Sequence, residues 1–295
     1  MTAMNSVNGK VVFITGGARG VGADVARRLR GRGATLVLTD IDAAPLAELA
    51  AELGDDHVLT AVADVRDLAA MQAVAAQAVE RFGGIDVVVA NAGIATYGSV
   101  LQVDPEAVKR LLDINVLGAF HTVRATLPSI IARRGYVLIV SSFAAYASSP
   151  GLAPYHAAKA AVEQFANALR LEVAYHGVDV GSAHMSWIDT PMVRDAKSDL
   201  ASFAELLSRV PTPLGNTTSV DKCGAAFVKG IEGRKRRINV PGWVGAFRWL
   251  KPLLSTPMGE KPIAALVPSI LPKMDAEVAA LGRSTSSRIE ELETS

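Results

Sequence analysis

The chain has 295 residues, half of them hydrophobic, and a net charge of +1 from 30 basic and 29 acidic side chains. This near balance argues against a nucleic-acid groove, which needs a basic excess. The single cysteine, Cys223, cannot form a disulfide within the chain, and the five histidines show no metal-ligand spacing. No apolar run is long enough to span a membrane and the first ten residues lack the apolar stretch of a signal peptide, so we expect a soluble, cytoplasmic protein without a metal.

Short apolar runs alternate with longer stretches at helical spacing. The apolar runs are continuous rather than alternating, which is typical of strands covered on both faces. Strand and helix repeated in this way predict a doubly wound, Rossmann-like α/β fold with a mostly parallel, seven-stranded sheet. The apolar runs locate six of these strands, at 11–14, 36–38, 57–62, 85–90, 137–140 and 178–183. The first predicted helix ends near residue 31. The helices that follow are predicted to span about 45–53, 68–82, 105–132 and 154–175.

The pattern changes after Val240, which divides the chain into two predicted parts. Residues 8–240 form the Rossmann-like catalytic and cofactor-binding domain, and residues 241–295 form a C-terminal extension. The extension is apolar but interrupted by prolines up to residue 271, which predicts irregular or helical structure. Its last stretch, Gly282–Ser295, is polar, and we expect it to be poorly ordered.

A glycine-rich turn, Thr15–Gly22, follows the first strand and opens the first helix. Glycines let the backbone approach a pyrophosphate, and a helix N-terminus presents unpaired N–H groups to the anion. The turn could also simply join two elements, because such motifs often occur without a ligand. The candidate cofactor-binding residues in it are Gly16, Ala18, Arg19, Gly20, Val21 and Gly22.

Further candidates follow the second, third and fourth strands, at the sheet edge where this fold binds ligands. An acidic side chain after the second strand can hydrogen-bond the ribose of an adenosine, and small residues after the fourth permit close contact with a cofactor. Each carboxylate could instead cap the next helix. The candidates at these strand ends are Asp40, Ile41, Asp64, Val65, Asn91, Ala92 and Gly93.

Tyr155 and Lys159 are four residues apart and therefore share one face of a predicted helix. A tyrosine with a pKa near 10 is a poor base at neutral pH, but a lysine ammonium beside it would lower that pKa. Ser142, after the fifth strand, could orient a substrate oxygen. By spacing alone, an ordinary pair on an exposed helix is the favoured interpretation, and Ser142 thirteen positions upstream does not change that without the rest of the chain.

Together these residues resemble the short-chain dehydrogenase/reductase family. The matches are TGGARGVG at 15–22, Asp64-Val65, Asn91-Ala92-Gly93, Asn115, Ser142 and YHAAK at 155–159, in the family's order and spacing over residues 8–240. The resemblance implies an NAD(P)-dependent oxidoreductase acting on a secondary alcohol or ketone. It makes Tyr155 the acid/base, Ser142 the holder of the substrate oxygen, Lys159 a ligand of the nicotinamide ribose, and Asn115 part of a proton relay.

The chain departs from the family pattern after the sixth strand. The family usually has Pro-Gly where this chain has Met185-Ser186. Thr190 still matches the residue that bonds the nicotinamide carboxamide, and Ile188 would contribute backbone groups. The departure leaves the local backbone path open.

Asp40 and Arg19 indicate different cofactors. A carboxylate at Asp40 would bond a free ribose 2′-hydroxyl and repel a 2′-phosphate, which favours NAD. Arg19 could pair with that phosphate, which favours NADP, or be a solvated loop residue. We expect NAD, and NADP stays open.

Apolar side chains near the expected pocket suggest an apolar alcohol or ketone, such as a steroid-like, terpenoid or acyl-chain compound, although they could also be ordinary packing. A nucleotide-binding sensor or scaffold without turnover, or a dehydratase on the same fold, are the alternative functions. The candidate substrate residues are Tyr97, Phe143, Leu152, Trp187 and Met192.

The resemblance also implies a homodimer or homotetramer formed through the helices at about 105–132 and 154–175. In the extension, the basic run 234–237 precedes the aromatic segment 243–250. Basic and aromatic residues together are typical of peripheral contact with an anionic membrane. A subunit contact or a cover over the substrate site is the interpretation we favour over the membrane.

Overall fold

The computed structural model describes residues 6–294, so Met1–Asn5 of the N-terminal segment and Ser295 of the polar tail lie outside it. Its sheet has seven parallel strands in the order β3-β2-β1-β4-β5-β6-β7, which confirms the predicted Rossmann-like fold. The strands are β1 (Val11–Thr15), β2 (Thr35–Asp40), β3 (Val58–Val62), β4 (Val87–Ala90), β5 (Tyr136–Val140), β6 (Asp179–Met185) and β7 (Arg237–Val240).

Helices cover both faces of this sheet. Val12 and Ile14 of β1 pack into one core layer, and their neighbours Val11 and Phe13 pack into the other. Both faces exclude water, which is why the strands are apolar throughout. The helices of the domain are α1 (Gly20–Arg30), α2 (Ala43–Leu53), α3 (Leu68–Phe82), α4 (Pro105–Leu112), α5 (Gly118–Ala132), α6 (Ala153–Val173), α7 (Pro191–Asp199), α8 (Ala201–Arg209) and α9 (Val220–Glu232).

The predicted long helix at 105–132 is wrong in one respect, because a π-helical turn, Asp113–Leu117, separates α4 from α5. The side chain of Asn115, inside this turn, is buried and bonds the backbone of Ile94 in a neighbouring loop. A π-turn inserts one extra residue, and such turns are frequent at functional sites. Helical periodicity does not reveal it.

The C-terminal extension is helical. Pro257 and Pro268 stand in first turns, where a missing N–H costs no helical hydrogen bond. Among residues 6–294, no helix is both long and apolar enough to cross a membrane. The helices of the extension are α10 (Val244–Leu254), α11 (Pro257–Ala264), α12 (Val267–Leu281) and α13 (Ser287–Thr294).

The prediction that Gly282–Ser295 is poorly ordered is wrong for its described part, which ends in α13. Ser284 is buried; its carbonyl accepts from the Tyr97 N–H at 2.8 Å and its hydroxyl from the Asp104 N–H at 3.0 Å. Polar composition suggested disorder, but here the polar groups bond the domain instead of water.

Candidate active site

A cavity of about 290 Å³ lies at the carboxyl ends of the central strands. We call it the first cavity. The glycine-rich turn and the residues that follow β2, β3, β4 and β6 line it. Of the predicted cofactor residues, Ala18 and Gly22 do not line it; the others do, namely Gly16, Arg19, Gly20, Val21, Asp40, Ile41, Asp64, Val65, Asn91, Ala92, Gly93, Tyr155, Lys159, Ile188 and Thr190.

The glycine-rich turn is held open by its glycines and by Asn91. Gly16 and Gly20 have φ of +63° and +54°, which side chains rarely adopt. A Cβ on Gly22 would collide with the carbonyl of Gly16. The Asn91 amide donates to the carbonyls of Thr15 and Gly16, each over 3.0 Å. Since no side chain caps α1, its N-terminal N–H groups remain available to an anion in the first cavity.

Three charged groups surround the end of β2. Asp40 accepts from the Ala18 N–H at 3.0 Å and from the Asp42 N–H at 3.2 Å, and burial raises the pKa of Asp40. Asp42 in turn pairs with Arg19, whose guanidinium donates to it at 2.6 and 3.1 Å. Arg19 is therefore already bound to a carboxylate, which the sequence analysis did not anticipate.

Asp64 follows β3 and does not cap the next helix. It accepts from the Arg66 backbone N–H at 2.8 Å and from its guanidinium at 2.7 Å. The cap of α3 is Asp67, which accepts from two backbone N–H groups of the first turn. The alternative interpretation of Asp64 as a helix cap is therefore wrong. Arg66 also bonds Glu293 at 3.1 Å, which ties this strand end to α13.

The C-terminal segment supplies part of the first cavity's wall, which the sequence analysis missed. Arg288 of α13 forms an ion pair with Asp195 of α7 at 3.2 Å. The three-residue spacing of Ile289 and Leu292 within a polar stretch is a weak amphipathic signal that could have indicated a buried face. The C-terminal residues that line the cavity are Ser286, Arg288, Ile289 and Leu292.

Tyr155 and Lys159 lie on one face of α6, as their spacing predicted. The Lys159 ammonium is 5.6 Å from the centre of the Tyr155 ring and donates to the Val140 carbonyl at 3.2 Å. The Ser142 hydroxyl hydrogen-bonds Tyr155, which lowers the pKa of Tyr155, but burial has the larger effect and raises it. Burial also lowers the pKa of Lys159 to about 8.

Asn115 lies behind Gly93, on the far side from solvent. Its amide oxygen accepts from the Ile94 N–H at 2.8 Å and its amide nitrogen donates to the Ile94 carbonyl at 2.9 Å. A Cβ on Gly93 would stand 3.1 Å from the Asn115 oxygen and 3.4 Å from the Lys159 ammonium. Glycine at position 93 therefore keeps open the space between these two side chains.

A second cavity, of about 510 Å³, has a largely apolar lining. Tyr97, Phe143, Leu152, Trp187 and Met192, the candidate substrate residues, all line it. The extension also lines this cavity, with residues of α10, α11 and the start of α12, which is in keeping with its interpretation as a cover, although the sequence did not indicate which residues take part. The residues that line both cavities are Ala95, Tyr97, Ser142, Tyr155, Met185, Ser186, Met192 and Val193.

Comparison with known proteins gives a family for this arrangement. The family model described as short chain dehydrogenase matches residues 10–201. The chain belongs to the short-chain dehydrogenase/reductase family.

Relatives of this short-chain dehydrogenase/reductase include named oxidoreductases. An uncharacterized NAD-dependent oxidoreductase of Mycobacterium tuberculosis is 34% identical over 218 residues, covering 68% of this chain and 78% of the relative. The oxidoreductase UcpA of Salmonella typhimurium is 37% identical over 226 residues, covering 72% and 86%. A solved structure of a short chain dehydrogenase from Mycobacterium paratuberculosis, bound to NAD, aligns with a TM-score of 0.70 and 28% identity, covering 79% of this chain and 97% of that one.

Where this short-chain dehydrogenase/reductase departs from the Pro-Gly pattern, the structure defines the path of the backbone. Met185 ends β6 in register with Val240 of β7, and the Ser186 N–H donates to the Val240 carbonyl at 2.8 Å. The Ser186 hydroxyl is buried where the two cavities meet and, within residues 6–294, has no hydrogen-bond partner. Replacing glycine by serine thus adds a polar group to the site.

Proposed function

We propose that this protein transfers a hydride between a nicotinamide dinucleotide and a secondary alcohol or ketone, with Tyr155 as the acid/base. The observation that carries the proposal is the junction of the two cavities at Ser142 and Tyr155. One cavity has an anion-binding helix end and ribose-binding carboxylates, and the other is apolar. A proton-transfer group between them stands where a substrate oxygen would meet a cofactor.

The residues present fit such a cofactor. The α1 N-terminus with Gly20 would hold the pyrophosphate, Asp40 the adenosine ribose, and Lys159 the nicotinamide ribose. When bound, the nicotinamide supplies or accepts the hydride and, in its oxidised form, adds a positive charge. Family membership and the NAD-dependent relatives support this assignment.

The chain's own groups handle the proton. In ketone reduction the Tyr155 hydroxyl donates its proton to the substrate oxygen, and in alcohol oxidation its phenolate accepts one. Ser142 donates a hydrogen bond to the same oxygen and keeps it near Tyr155. Because burial raises the pKa of Tyr155, the reaction needs positive charge beside the phenolate, which the Lys159 ammonium provides. Asn115 positions the backbone of Ile94 beside the cofactor.

An apolar substrate suits the second cavity. Trp187 and Phe203 meet edge to face with ring centres 5.3 Å apart, and both line it. The volume, about 510 Å³, is in the range of sites for drug-sized molecules. These features support a steroid-like, terpenoid or acyl-chain alcohol or ketone as the substrate class.

The charges at the end of β2 favour NAD over NADP. A ribose 2′-phosphate would meet the carboxylates of Asp40 and Asp42, while the nearby guanidinium of Arg19 is paired with Asp42. A free 2′-hydroxyl can donate to Asp40 without repulsion. The pairing of Arg19 removes the main argument for NADP in the sequence.

Fluorescence titration of purified protein with NADH and NADPH tests the cofactor site. We expect tighter binding of NADH, and a loss of that preference in Asp40→Ala, because the variant loses the carboxylate that excludes phosphate. Preference of the unaltered protein for NADPH would contradict the NAD assignment. Binding of neither dinucleotide would contradict the whole proposal.

Turnover is tested with NAD⁺ and a panel of apolar secondary alcohols. Tyr155→Phe should still bind NADH but lose roughly 10²- to 10⁴-fold in kcat, the usual contribution of a positioned acid/base. Undiminished turnover in Tyr155→Phe would show that another group moves the proton. NADH binding without turnover on any alcohol or ketone would favour a sensor, a scaffold or a dehydratase.

A further inference from the structure

The outer surface of α10 and α11 exposes large apolar side chains. Trp249 is 75% exposed, Leu253 is 58% exposed and Met258 is 76% exposed. Trp249 and Leu253 are one helical turn apart on α10, and Met258 follows at the start of α11. We call these three residues, with Arg248 and Lys261, the exterior patch. Exposed apolar side chains grouped in this way are typical of an interaction site.

The charge of this region is mostly positive. Between residues 241 and 272 the only acidic residue is Glu260, against Arg248, Lys251 and Lys261. The Arg248 guanidinium lies over the Trp249 ring at 4.7 Å, and Lys261 is exposed one helical turn after Met258 on α11. Within residues 6–294 neither of these cations forms a salt bridge. The patch therefore offers apolar area together with unpaired positive charge.

The basic run 234–237 is not part of this patch, although the two are close in sequence. The run leads into the amino end of β7, whereas α10 follows its carboxyl end. Arg234 bonds the Arg134 carbonyl at 2.8 Å, and Arg237 lies 3.7 Å from Glu163. These two arginines therefore bond other parts of the domain, and neither belongs to the exterior patch.

We propose that the exterior patch binds the surface of an anionic membrane, with α10 and α11 lying in the interface. Tryptophan prefers the headgroup level, and each nearby basic side chain is attracted by anionic lipid. A second copy of the chain is the less suitable occupant. A two-fold contact would place the same basic patch on both sides, with Glu260 the only carboxylate in the region to offset the repulsion.

The inner faces of the same helices border the second cavity, which links the proposed membrane contact to the substrate site. Phe247 and Leu254 of α10 and Ile263 of α11 line the second cavity. One pair of helices thus separates the cavity from the proposed membrane surface, so an apolar substrate dissolved in the bilayer reaches the site without crossing water. This role in substrate delivery rests on the proposed function; the membrane contact does not.

Co-sedimentation with vesicles tests the contact. The unaltered protein should bind vesicles of phosphatidylglycerol and phosphatidylcholine in a salt-dependent way, and bind pure phosphatidylcholine much less. Arg248→Glu with Lys261→Glu should weaken binding roughly 25-fold or more, about fivefold for each basic side chain lost. Trp249→Ser with Leu253→Ser and Met258→Ser should abolish it. Four of these positions are exposed and Arg248 is partly exposed, so both variants should fold.

A matched control carries Val62→Ser, Val79→Ser and Leu101→Ser, which remove exposed apolar side chains outside the patch. It should bind vesicles as the unaltered protein does. Absence of vesicle binding, or equal loss in the control, would overturn the proposal. A drop in molar mass by light scattering, confined to the patch variants, would identify a second copy as the occupant instead. NADH titration of every variant is a separate readout, so failure of the dinucleotide site is distinguishable.

Discussion

The guanidinium of Arg19 and the carboxylate of Asp42 form an ion pair of 2.6 Å at the rim of the first cavity. This pair engages a guanidinium that could otherwise bond a ribose 2′-phosphate. In the proposed NAD site, cofactor preference would thus depend on two carboxylates, since Asp40 would bond the ribose and Asp42 holds Arg19.

Asp42→Ala should raise affinity for NADPH relative to NADH roughly tenfold, because a freed Arg19 gains a charge-assisted bond to phosphate. Titration with both dinucleotides measures the ratio. The control is Arg19→Ala combined with Asp42→Ala, in which the gain should disappear. An equal gain in the double variant would show that loss of negative charge alone, without Arg19, sets the preference.

Lys159→Met should make the ligand-free protein more stable at pH 7 by about 1–3 kcal/mol while abolishing turnover. Burial lowers the pKa of Lys159 to about 8, so the folded state disfavours the ammonium that the unfolded chain carries up to about pH 10.5. Between these values the unfolded chain binds more protons, and the stability of the unaltered protein rises with pH. The advantage of Lys159→Met should shrink over the same window.

Urea unfolding at pH 7 and pH 9.5 measures this effect. The matched control is Lys222→Met, on the exposed side of α9, for which we expect no such pH dependence. A stability difference for Lys159→Met that is the same at both pH values would contradict the buried-ammonium explanation.

Ser186→Ala should stabilise the free protein slightly or leave it unchanged, yet weaken ligand binding. Its hydroxyl is buried without a partner in the described part of the chain, which costs about 1 kcal/mol or more in the free state. A substrate oxygen or the nicotinamide amide would satisfy it. We expect KM or the NADH Kd to rise roughly fivefold. Unchanged binding with unchanged stability would indicate that water serves this hydroxyl in both states.

A chain ending at Ser286 should bind NADH roughly tenfold more weakly, chiefly through faster dissociation, because it lacks the α13 wall of the first cavity. The cut keeps the buried Ser284 and its bonds, so the domain should remain folded by circular dichroism. Leu292→Ala should give a smaller effect in the same direction. Dissociation rates equal to those of the full chain would show that α13 does not contact the cofactor.

The sequence predicted the sheet and the Tyr155–Lys159 pair because both follow from short-range spacing: apolar runs for the strands, and one helical turn for the pair. It did not predict the π-turn at Asn115, since the Asn115 side chain bonds the backbone of Ile94, in a loop that is distant in sequence but adjacent in space. It also did not predict that Asp42 binds Arg19, because the partner of a charged side chain is decided by the packing of two loops.

The C-terminal helix was missed for a related reason. Ile289 and Leu292 are two apolar residues in a polar stretch, too few to indicate a buried face without knowledge of what they meet. Ion pairs such as Arg66–Glu293 and Arg288–Asp195 hold the stretch in place, and each joins residues far apart in sequence. A polar composition predicts disorder correctly only when its charged side chains have no such partners elsewhere in the fold.

The wall formed by α13 also bears on how the protein is made and handled. Gly16 and Gly20 leave the ribosome long before Leu292, so a nascent chain has an incomplete first cavity until α13 has been synthesised. A purification tag fused directly after α13 would begin within about one helical turn of Leu292, in the wall of that cavity.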